Sequence, residues 1–333
     1  MAHQTVVRAL DISSDDSMTV SVSNESLKIW SMEAQCQRIK HFALTEIVSV
    51  KFLPRDRYVA LGDKKGQLHL LDLQAGEIVY TEEDAHKDAI WTIDWHHKPE
   101  GAKGIVLITG SADGTAKFWE LRQSKAGVKF AFKAREEVGE AVQWVRYSTN
   151  GRFYTMALLD NSIRSKYSDS NKLHMNFYGH KMPVLSIDIS SDDVLMASAS
   201  ADKYIRIWGM DFGDCHKALL AHKGAVTQIK FIRDTHYMIT TSRDGMVKYW
   251  DADLKVLIHE IDAHLGDVWA IAVSSIGDYF VTGGSDKILR LFKQTKELVY
   301  PQIEEQDKDS KVRIISLKHL ENNRELPGRY QGQ

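Results

Sequence analysis

The chain of 333 residues is 43% hydrophobic and 26% charged, with a formal net charge of −2. This is the composition of a globular protein long enough to bury a large core. It gives no sign of the strongly basic surface that binds nucleic-acid phosphates, although a local basic patch stays open. Two cysteines, Cys36 and Cys215, are too few for a disulfide framework or a cysteine-rich zinc site, so we expect a reducing compartment. No apolar run approaches the ~18 to 20 residues that span a bilayer.

Seven aromatic or apolar anchors recur along the chain at intervals of 41, 48, 48, 41, 42 and 42 residues. They are Trp30, Leu71, Trp119, Tyr167, Trp208, Trp250 and Phe292. A period of about 40 to 45 residues is typical of four-stranded propeller blades. The sequence therefore predicts an all-β fold: a seven-bladed β-propeller with four antiparallel strands in each blade.

Each repeat unit contains the same succession of elements, which the fifth unit shows most clearly. His180 opens the unit, and an alternating strand follows over residues 184–189. After a polar turn, the second strand ends in a Ser-x-Asp step at Ser200, and the third ends at Trp208. Period-two patterning between turn residues is typical of strands.

A constant spacing links the histidine, the turn aspartate and the anchor. Three units have 22 residues between the first two, and 6 residues separate the aspartate from the anchor. We interpret this spacing as a buried network of carboxylate, imidazole, serine hydroxyl and indole N–H, in which each polar group finds a partner. The three complete sets are His86, Ser111, Asp113, Trp119; His180, Ser200, Asp202, Trp208; and His222, Ser242, Asp244, Trp250.

The other four units lack parts of this set. The first, second and fourth units have Asn24, Lys65 and Asn161 where the aspartate is expected. The seventh unit has Gly284 and Phe292 at the serine and tryptophan positions. The second and fourth units also lack the opening histidine, so we expect apolar contacts to hold these two blades together.

The Gly-His and Ser-x-Asp-x5-Trp elements, repeated over residues 3–293, resemble those of the WD-repeat family. A narrower resemblance lies in residues 178–222, with YGHKMPV at 178–184 and IWGMDFGDCHK at 207–217. This segment is similar to the second propeller of tandem-propeller WD-repeat subunits of the small-subunit processome.

The resemblance implies a non-catalytic protein-interaction scaffold of the UtpB subcomplex, in the nucleus and nucleolus. Such a scaffold would hold other WD-repeat proteins together during early 18S ribosomal RNA maturation, with precursor ribosomal RNA or small nucleolar RNA as candidate contacts. The alternative is a scaffold for cytoplasmic signalling or vesicle trafficking, because the fold alone does not fix the function. We expect residues 1–305 to form the propeller and residues 306–333 a charged tail or a linker to a further domain.

Catalytic chemistry is not indicated. The turn aspartates recur once per blade, whereas carboxylates that cooperate in catalysis lie within several Å of each other. The sequence contains neither a nucleophile elbow nor a phosphate-cradling glycine loop. The neighbouring His96 and His97 would point to opposite faces of a strand and lack zinc-ligand spacing. We therefore predict no catalytic residue, cofactor, metal ligand, small-molecule substrate or membrane contact.

Two groups of residues are candidates for binding. Lysines that follow the blade histidines should lie near one end of the ring, together with exposed aromatic and arginine residues of the kind that interface hot spots favour. These partner-binding candidates are Lys87, Trp91, Lys181, Lys223, Arg243, Trp269 and Tyr204; core packing stays open for the two tryptophans. The candidate RNA contacts are Lys125, Lys129, Lys133 and Arg135, for which a solvated outer strand with lysines covering apolar surface is the alternative.

Overall fold

A computed structural model of the chain describes residues 3–32, 36–42, 46–97, 104–124 and 127–294. They form seven antiparallel sheets in a seven-bladed β-propeller, which confirms the predicted fold. Six sheets contain four described strands and the seventh contains three. The predicted boundary at residue 305 and the tail at 306–333 lie outside the described residues.

Consecutive strands form each blade, and the strands are numbered here in chain order. Blades one to three contain β1 Val7–Ile12, β2 Met18–Ser23, β3 Leu27–Ser31, β4 Cys36–Phe42, β5 Ile47–Phe52, β6 Tyr58–Asp63, β7 Leu68–Asp72, β8 Glu77–Glu82, β9 Ile90–His97, β10 Ile105–Ser111, β11 Thr115–Ser124 and β12 Gly127–Glu137. Blades four to seven contain β13 Val142–Tyr147, β14 Phe153–Leu158, β15 Ile163–Tyr167, β16 Leu173–Phe177, β17 Val184–Ile189, β18 Leu195–Ser200, β19 Tyr204–Gly209, β20 Cys215–Leu220, β21 Val226–Phe231, β22 Tyr237–Ser242, β23 Met246–Asp251, β24 Val256–Asp262, β25 Val268–Val273, β26 Tyr279–Gly284 and β27 Leu289–Lys293.

The first strand of each blade lies at the centre of the propeller. Each first strand contacts the first strand of the next blade, and β25 contacts β1, so these strands form a closed ring around a central channel. Apolar residues from neighbouring sheets fill the space between blades; Ile187 and Trp208 of blade five, for example, pack with Phe177 of blade four. Full burial of one such side chain stabilises the fold by about 1.5 to 3 kcal/mol.

Exposure increases from the second strand of a blade to the fourth. In blade five, all residues of β18 are buried, whereas five of the six residues of β20 are exposed. A strand covered on both faces reads as a continuous apolar or small-residue run, because neither face meets water. The fourth strand therefore forms the rim of the propeller and presents polar side chains to solvent.

The sequence alignment of the fourth unit is wrong by one residue. Lys166, rather than Tyr167, pairs with the second residue of β14, the position that the tryptophans occupy elsewhere. Asp160, rather than Asn161, holds the turn, since its carboxylate accepts the backbone N–H of Ser162 at 2.9 Å. The error arose because this unit has neither the histidine nor the tryptophan that would fix the alignment.

Hydrogen bonds between turns join blade seven to blade one. The backbone N–H and hydroxyl of Ser275 donate to the Asp16 carboxylate at 2.8 and 2.7 Å. The same kind of contact joins blades four and five, where Thr149 N–H donates to Asp193 at 2.6 Å. The ring therefore closes with a contact that also occurs between blades adjacent in the sequence.

We expect Asp16→Ala to lower the free energy of unfolding by about 1 to 2 kcal/mol. The change removes the two carboxylate oxygens that accept from Ser275, and it places alanine at a φ of 59°, in the left-handed region. Asp16→Asn keeps an acceptor and tolerates this φ, so it should cost less than half as much. Urea unfolding of the three proteins measures the difference; equal losses for both variants would contradict the role given to the carboxylate.

Candidate functional site

The blade network is clearest in blade five. His180 Nδ1 lies 2.9 Å from Asp202 Oδ2, and His180 Nε2 lies 2.8 Å from Ser198 Oγ. Trp208 Nε1 donates to the same Oγ at 2.9 Å. Because Nδ1 faces a carboxylate, we assign the proton to Nδ1, so Nε2 accepts from the serine hydroxyl and the serine oxygen accepts from the indole. Each of these polar groups thus has a partner.

The same arrangement recurs in blades three and six, with a threonine as the linking hydroxyl. In blade three, the distances are 3.2 Å for His86–Asp113, 2.7 Å for His86–Thr109 and 3.0 Å for Trp119–Thr109. In blade six, they are 3.1 Å for His222–Asp244, 2.9 Å for His222–Thr240 and 2.9 Å for Trp250–Thr240.

The serines that the sequence placed in these networks are not the linking hydroxyls. Ser111, Ser200 and Ser242 lie two residues later, at the ends of β10, β18 and β22. Two residues span about 6.6 Å along a strand, so only the earlier hydroxyl is level with the indole. The Ser200 hydroxyl instead donates to Met182 O at 2.9 Å and accepts the Asp202 N–H at 3.1 Å, which holds the turn that carries the aspartate.

Blade one completes its network without an aspartate. Where the carboxylate is missing, the Ser26 hydroxyl lies 3.2 Å from His3 Nδ1. The other ring nitrogen lies 2.7 Å from Ser21 Oγ, to which Trp30 Nε1 also donates at 2.7 Å. A serine two residues beyond Asn24 therefore takes the place of the expected carboxylate.

Blades seven and four depart further from the pattern. His264 Nδ1 lies 2.9 Å from the Asp286 carboxylate, but the Phe292 ring stacks on a neighbouring ring instead of donating a hydrogen bond. In blade four, the Tyr154 hydroxyl donates to Glu136, which also pairs with Lys166. Apolar clusters pack blade four against its neighbours, as expected, and the lysine at the tryptophan position adds an unexpected ion pair with a carboxylate of blade three.

In blade three, the pKa values of both His86 and Asp113 lie below their ordinary values. Burial lowers the pKa of His86 to about 4, although the Asp113 carboxylate opposes this effect. Burial by itself would raise the pKa of Asp113, but hydrogen bonds from the Thr115 hydroxyl and the Lys87 amide outweigh it and hold the pKa at about 2. The pair is therefore a neutral imidazole and a carboxylate near neutral pH.

We expect the free energy of unfolding to decrease as the pH is lowered from about 6.5 to 4. Over this range the unfolded chain protonates His86 while the folded chain does not, so protons favour unfolding. Asp113 adds a second decrease between about 3.8 and 2, for the same reason. Urea unfolding across the first range tests this expectation: His86→Gln should show a shallower dependence on pH, and an unchanged slope would contradict it.

The three lysines that follow a blade histidine are hydrogen-bonded through their backbone, whereas their side chains face solvent. Each backbone N–H donates to the network aspartate of its blade, at 3.0 Å for Lys87, 3.0 Å for Lys181 and 2.9 Å for Lys223. Their side chains are exposed. The N–H of Tyr204 likewise donates to Asp202, and its side chain is 38% exposed. Lys87 lies in blade three, Lys181 and Tyr204 in blade five and Lys223 in blade six, and partner binding by them remains a prediction.

The other three partner-binding candidates meet at the mouth of the central channel. Trp91, Arg243 and Trp269 line a single cavity of about 1040 Å³. Trp91 is 39% exposed and Trp269 is half-buried, so neither belongs to the core. The guanidinium carbons of Arg243 and Arg8 lie 4.7 and 4.9 Å from the centre of the Trp269 ring. The sequence pattern did not indicate Arg8.

A ring of alternating charges lies deeper in the channel, at the fifth residue of each first strand. In blade order these residues are Asp11, Lys51, Asp94, Arg146, Asp188, Lys230 and Ala272. Strict alternation cannot close around seven positions, and the uncharged alanine occupies the position where two like charges would otherwise meet. Sequence reasoning missed this ring, although five of its members follow a blade histidine by 8 residues.

Each aspartate of the charge ring also bonds the backbone of the next blade. Asp94 and Asp188 accept the N–H groups of Tyr147 and Phe231 at 2.9 and 2.8 Å. Arg146 lies between the two carboxylates, with its Nη1 3.5 Å from Asp94 and its Nε 2.7 Å from Asp188. The carboxylate of Asp188 has the largest effect in raising the pKa of Arg146 above its ordinary value, and that of Asp94 adds to it. The ring therefore fixes the register between neighbouring blades.

The candidate RNA contacts lie on the rim. Lys129, Lys133 and Arg135 are exposed on β12, the outermost strand of blade three. Phe132, between them, is 57% exposed and meets the Trp119 ring edge to face. Lys125 lies outside the described residues. The structure places three of the four candidates on one strand, and RNA contact by them remains a prediction.

Within the part of the chain that the structure describes, no three His, Cys, Asp or Glu residues cluster so as to hold a metal ion. The rings of His96 and His97 pack against different aromatic residues, Tyr147 and Trp95. Among the described residues no helix is long and apolar enough to cross a bilayer.

Comparison with known proteins defines the family. The family model described as the WDR3 second beta-propeller domain matches residues 6–299, most of the chain. The chain belongs to this family. The WDR3 second-propeller family thus accounts for the whole ring of blades, including those whose networks are incomplete.

Similar proteins match part of this chain. U3 small nucleolar RNA-associated protein 12 of Saccharomyces cerevisiae is 38% identical over 196 residues, which is 56% of this chain and 20% of that protein. WD repeat-containing protein 3 of Homo sapiens is 36% identical over 191 residues, 55% of this chain and 19% of that protein. Ribosome biogenesis protein WDR12 homolog of Trichoplax adhaerens is 29% identical over 140 residues, 40% of this chain and 31% of that protein. The match thus spans about a fifth of the length of the first two relatives.

Proposed function

We propose that this propeller is a protein-interaction scaffold of the small-subunit processome, acting in nucleolar 18S ribosomal RNA maturation. The observation that carries the proposal is the family match over residues 6–299, together with the similarity to U3 small nucleolar RNA-associated protein 12. The geometry agrees with a binding role, because the histidine–aspartate pairs are used within their own blades. Its partners would be other WD-repeat proteins of a UtpB-like complex, and residues 306–333 would be a charged tail or a linker to a further domain.

Co-purification tests this assignment. The full-length gene product that carries this propeller, tagged and recovered from its own cells, should bring with it other nucleolar WD-repeat proteins, small nucleolar RNA and precursor 18S RNA. A control purification of an unrelated tagged WD-repeat protein sets the background. Recovery of signalling or vesicle-trafficking components without ribosomal precursors would favour the alternative scaffold function and contradict the proposal.

Direct RNA contact is a separate part of the proposal. The exposed Lys129, Lys133 and Arg135, with Phe132 between them, combine charges for phosphates with a ring for base stacking. Replacing the three cations by glutamine should reduce ultraviolet crosslinking to precursor RNA at least about tenfold, since each phosphate contact contributes to binding. Unchanged crosslinking in the triple variant would show that RNA is held elsewhere or not at all.

A further inference from the structure

The lining of the central channel has an excess of positive charge. Its charged side chains are seven lysines and arginines against three aspartates, within the described residues, although the whole chain has a net charge of −2. All three aspartates belong to the charge ring, where Asp11 pairs with Lys51 at 3.3 Å and the other two flank Arg146. The excess therefore lies with cations that the ring does not neutralise.

Three of these cations lie at the mouth of the channel. Arg8 comes from β1 of blade one, Arg243 from the turn after β22 in blade six, and Lys64 from the turn after β6 in blade two. Among the described residues, none of the three has a carboxylate within ion-pair distance. The mouth is thus a cationic site built from blades six, one and two, on both sides of the point where the ring closes.

Trp269 holds two of the guanidinium groups in place. Its ring centre lies 4.9 Å from Arg8 and 4.7 Å from Arg243. The negative face of an indole attracts guanidinium groups and offsets part of their mutual repulsion. The Arg8 Nε is buried, and within the described residues it has no hydrogen-bond partner. An unpaired buried donor is costly, so the described residues leave hydrogen-bonding capacity of the Arg8 guanidinium unused.

The neighbouring side chains favour a peptide over an RNA strand. Strand-binding proteins stack successive bases on several aromatic faces. Here two guanidinium groups lie against Trp269, so Trp91 is the exposed indole at the mouth. Leu185 and Val48 also line the cavity and are apolar. Carboxylates match guanidinium groups, and apolar side chains match the remaining surface.

We propose that Arg8, Arg243 and Trp269, with Lys64 and Trp91, form a binding site for an extended acidic peptide segment of a protein partner. Carboxylates of the segment contact the two guanidinium groups, and an apolar side chain packs on Trp91. This inference rests on the scaffold function proposed above, and it specifies the kind of partner segment that the propeller binds.

Peptide selection tests the site directly. A phage library of random peptides is panned against the full chain, and the enriched peptides are titrated by fluorescence anisotropy. We expect enriched peptides rich in Asp and Glu beside apolar residues, with at least about tenfold weaker binding to Arg243→Gln and Arg8→Gln, as loss of a charge-assisted contact implies. Lys172→Gln, an equal charge change outside the cavity, should leave binding within about twofold.

Several outcomes would overturn the peptide site. They are enrichment of neutral or basic peptides, no enrichment, and acidic peptides that bind Arg243→Gln as well as the unaltered protein. Tighter binding of a short uridine RNA, lost in the same variant, would assign the mouth to phosphates instead. Co-purification is measured separately from peptide selection. If acidic peptides are enriched but no processome components co-purify, the cellular function is contradicted and the peptide site is still supported.

Discussion

Trp208→Ala should lower the free energy of unfolding by about 3 to 5 kcal/mol, the cost of removing a large buried aromatic side chain. Trp208 is 2% exposed and its ring meets that of Phe177 at 5.4 Å. The change opens a cavity between blades four and five, and it leaves Ser198 without its indole donor. Urea unfolding followed by far-ultraviolet circular dichroism measures the loss without relying on tryptophan fluorescence.

Two further variants separate packing from hydrogen bonding. Trp208→Phe keeps most of the ring but not the N–H, so we expect a loss of about 1 to 2 kcal/mol. Trp91→Ala removes a tryptophan that is 39% exposed at the channel mouth, and we expect a change within about 0.5 kcal/mol. Equal losses for Trp208→Ala and Trp91→Ala would contradict the assignment of one tryptophan to the core and the other to the surface.

Arg146→Met should lower the free energy of unfolding by about 3 kcal/mol. It leaves the carboxylates of Asp94 and Asp188, which are 7% and 3% exposed, without their shared counter-charge. Breaking a buried ion pair by removing one partner typically costs about 3 to 5 kcal/mol. The lower end applies because Arg146 is 29% exposed to the channel. Lys51→Met leaves a single carboxylate without its counter-charge, that of Asp11, which is 16% exposed, and should cost about 1 kcal/mol.

A compensating variant tests whether charge is the cause. Adding Asp94→Asn and Asp188→Asn to Arg146→Met removes the unpaired charges while keeping oxygen acceptors for Tyr147 and Phe231 N–H. We expect this triple variant to recover most of the lost stability, since replacing a buried ionic group as a whole is often close to neutral. A triple variant no more stable than Arg146→Met alone would show that packing, not charge, explains the loss.

The blade networks were predictable as sets of residues but not as a bonding pattern. The constant spacing identified His180, Asp202 and Trp208 correctly as neighbours in space. It did not distinguish Ser198 from Ser200 as the linking hydroxyl, because the two serines are two residues apart on β18 and point to the same face of the strand. The choice depends on which hydroxyl is level with the indole of the adjacent strand, and that register is a property of the folded sheet.

The channel mouth was predictable only in part. Trp91, Arg243 and Trp269 were identified as binding candidates from their repeat positions. Arg8 was not, although it follows its blade histidine by 5 residues as Trp91 and Trp269 follow theirs. Its importance comes from the closure of the ring, which brings residue 8 beside residues 243 and 269.

The sequence by itself determined the number of blades, the strand order and the histidine, aspartate and tryptophan of each complete network, because a blade is a local unit of about 40 residues whose contacts repeat at fixed offsets. Only the tertiary structure decided the linking hydroxyls, the alignment of blade four, the charge ring and the pairing of Arg8 and Arg243 on Trp269. These features depend on contacts between blades or between neighbouring strands. The packing of the sheets sets the geometry of these contacts.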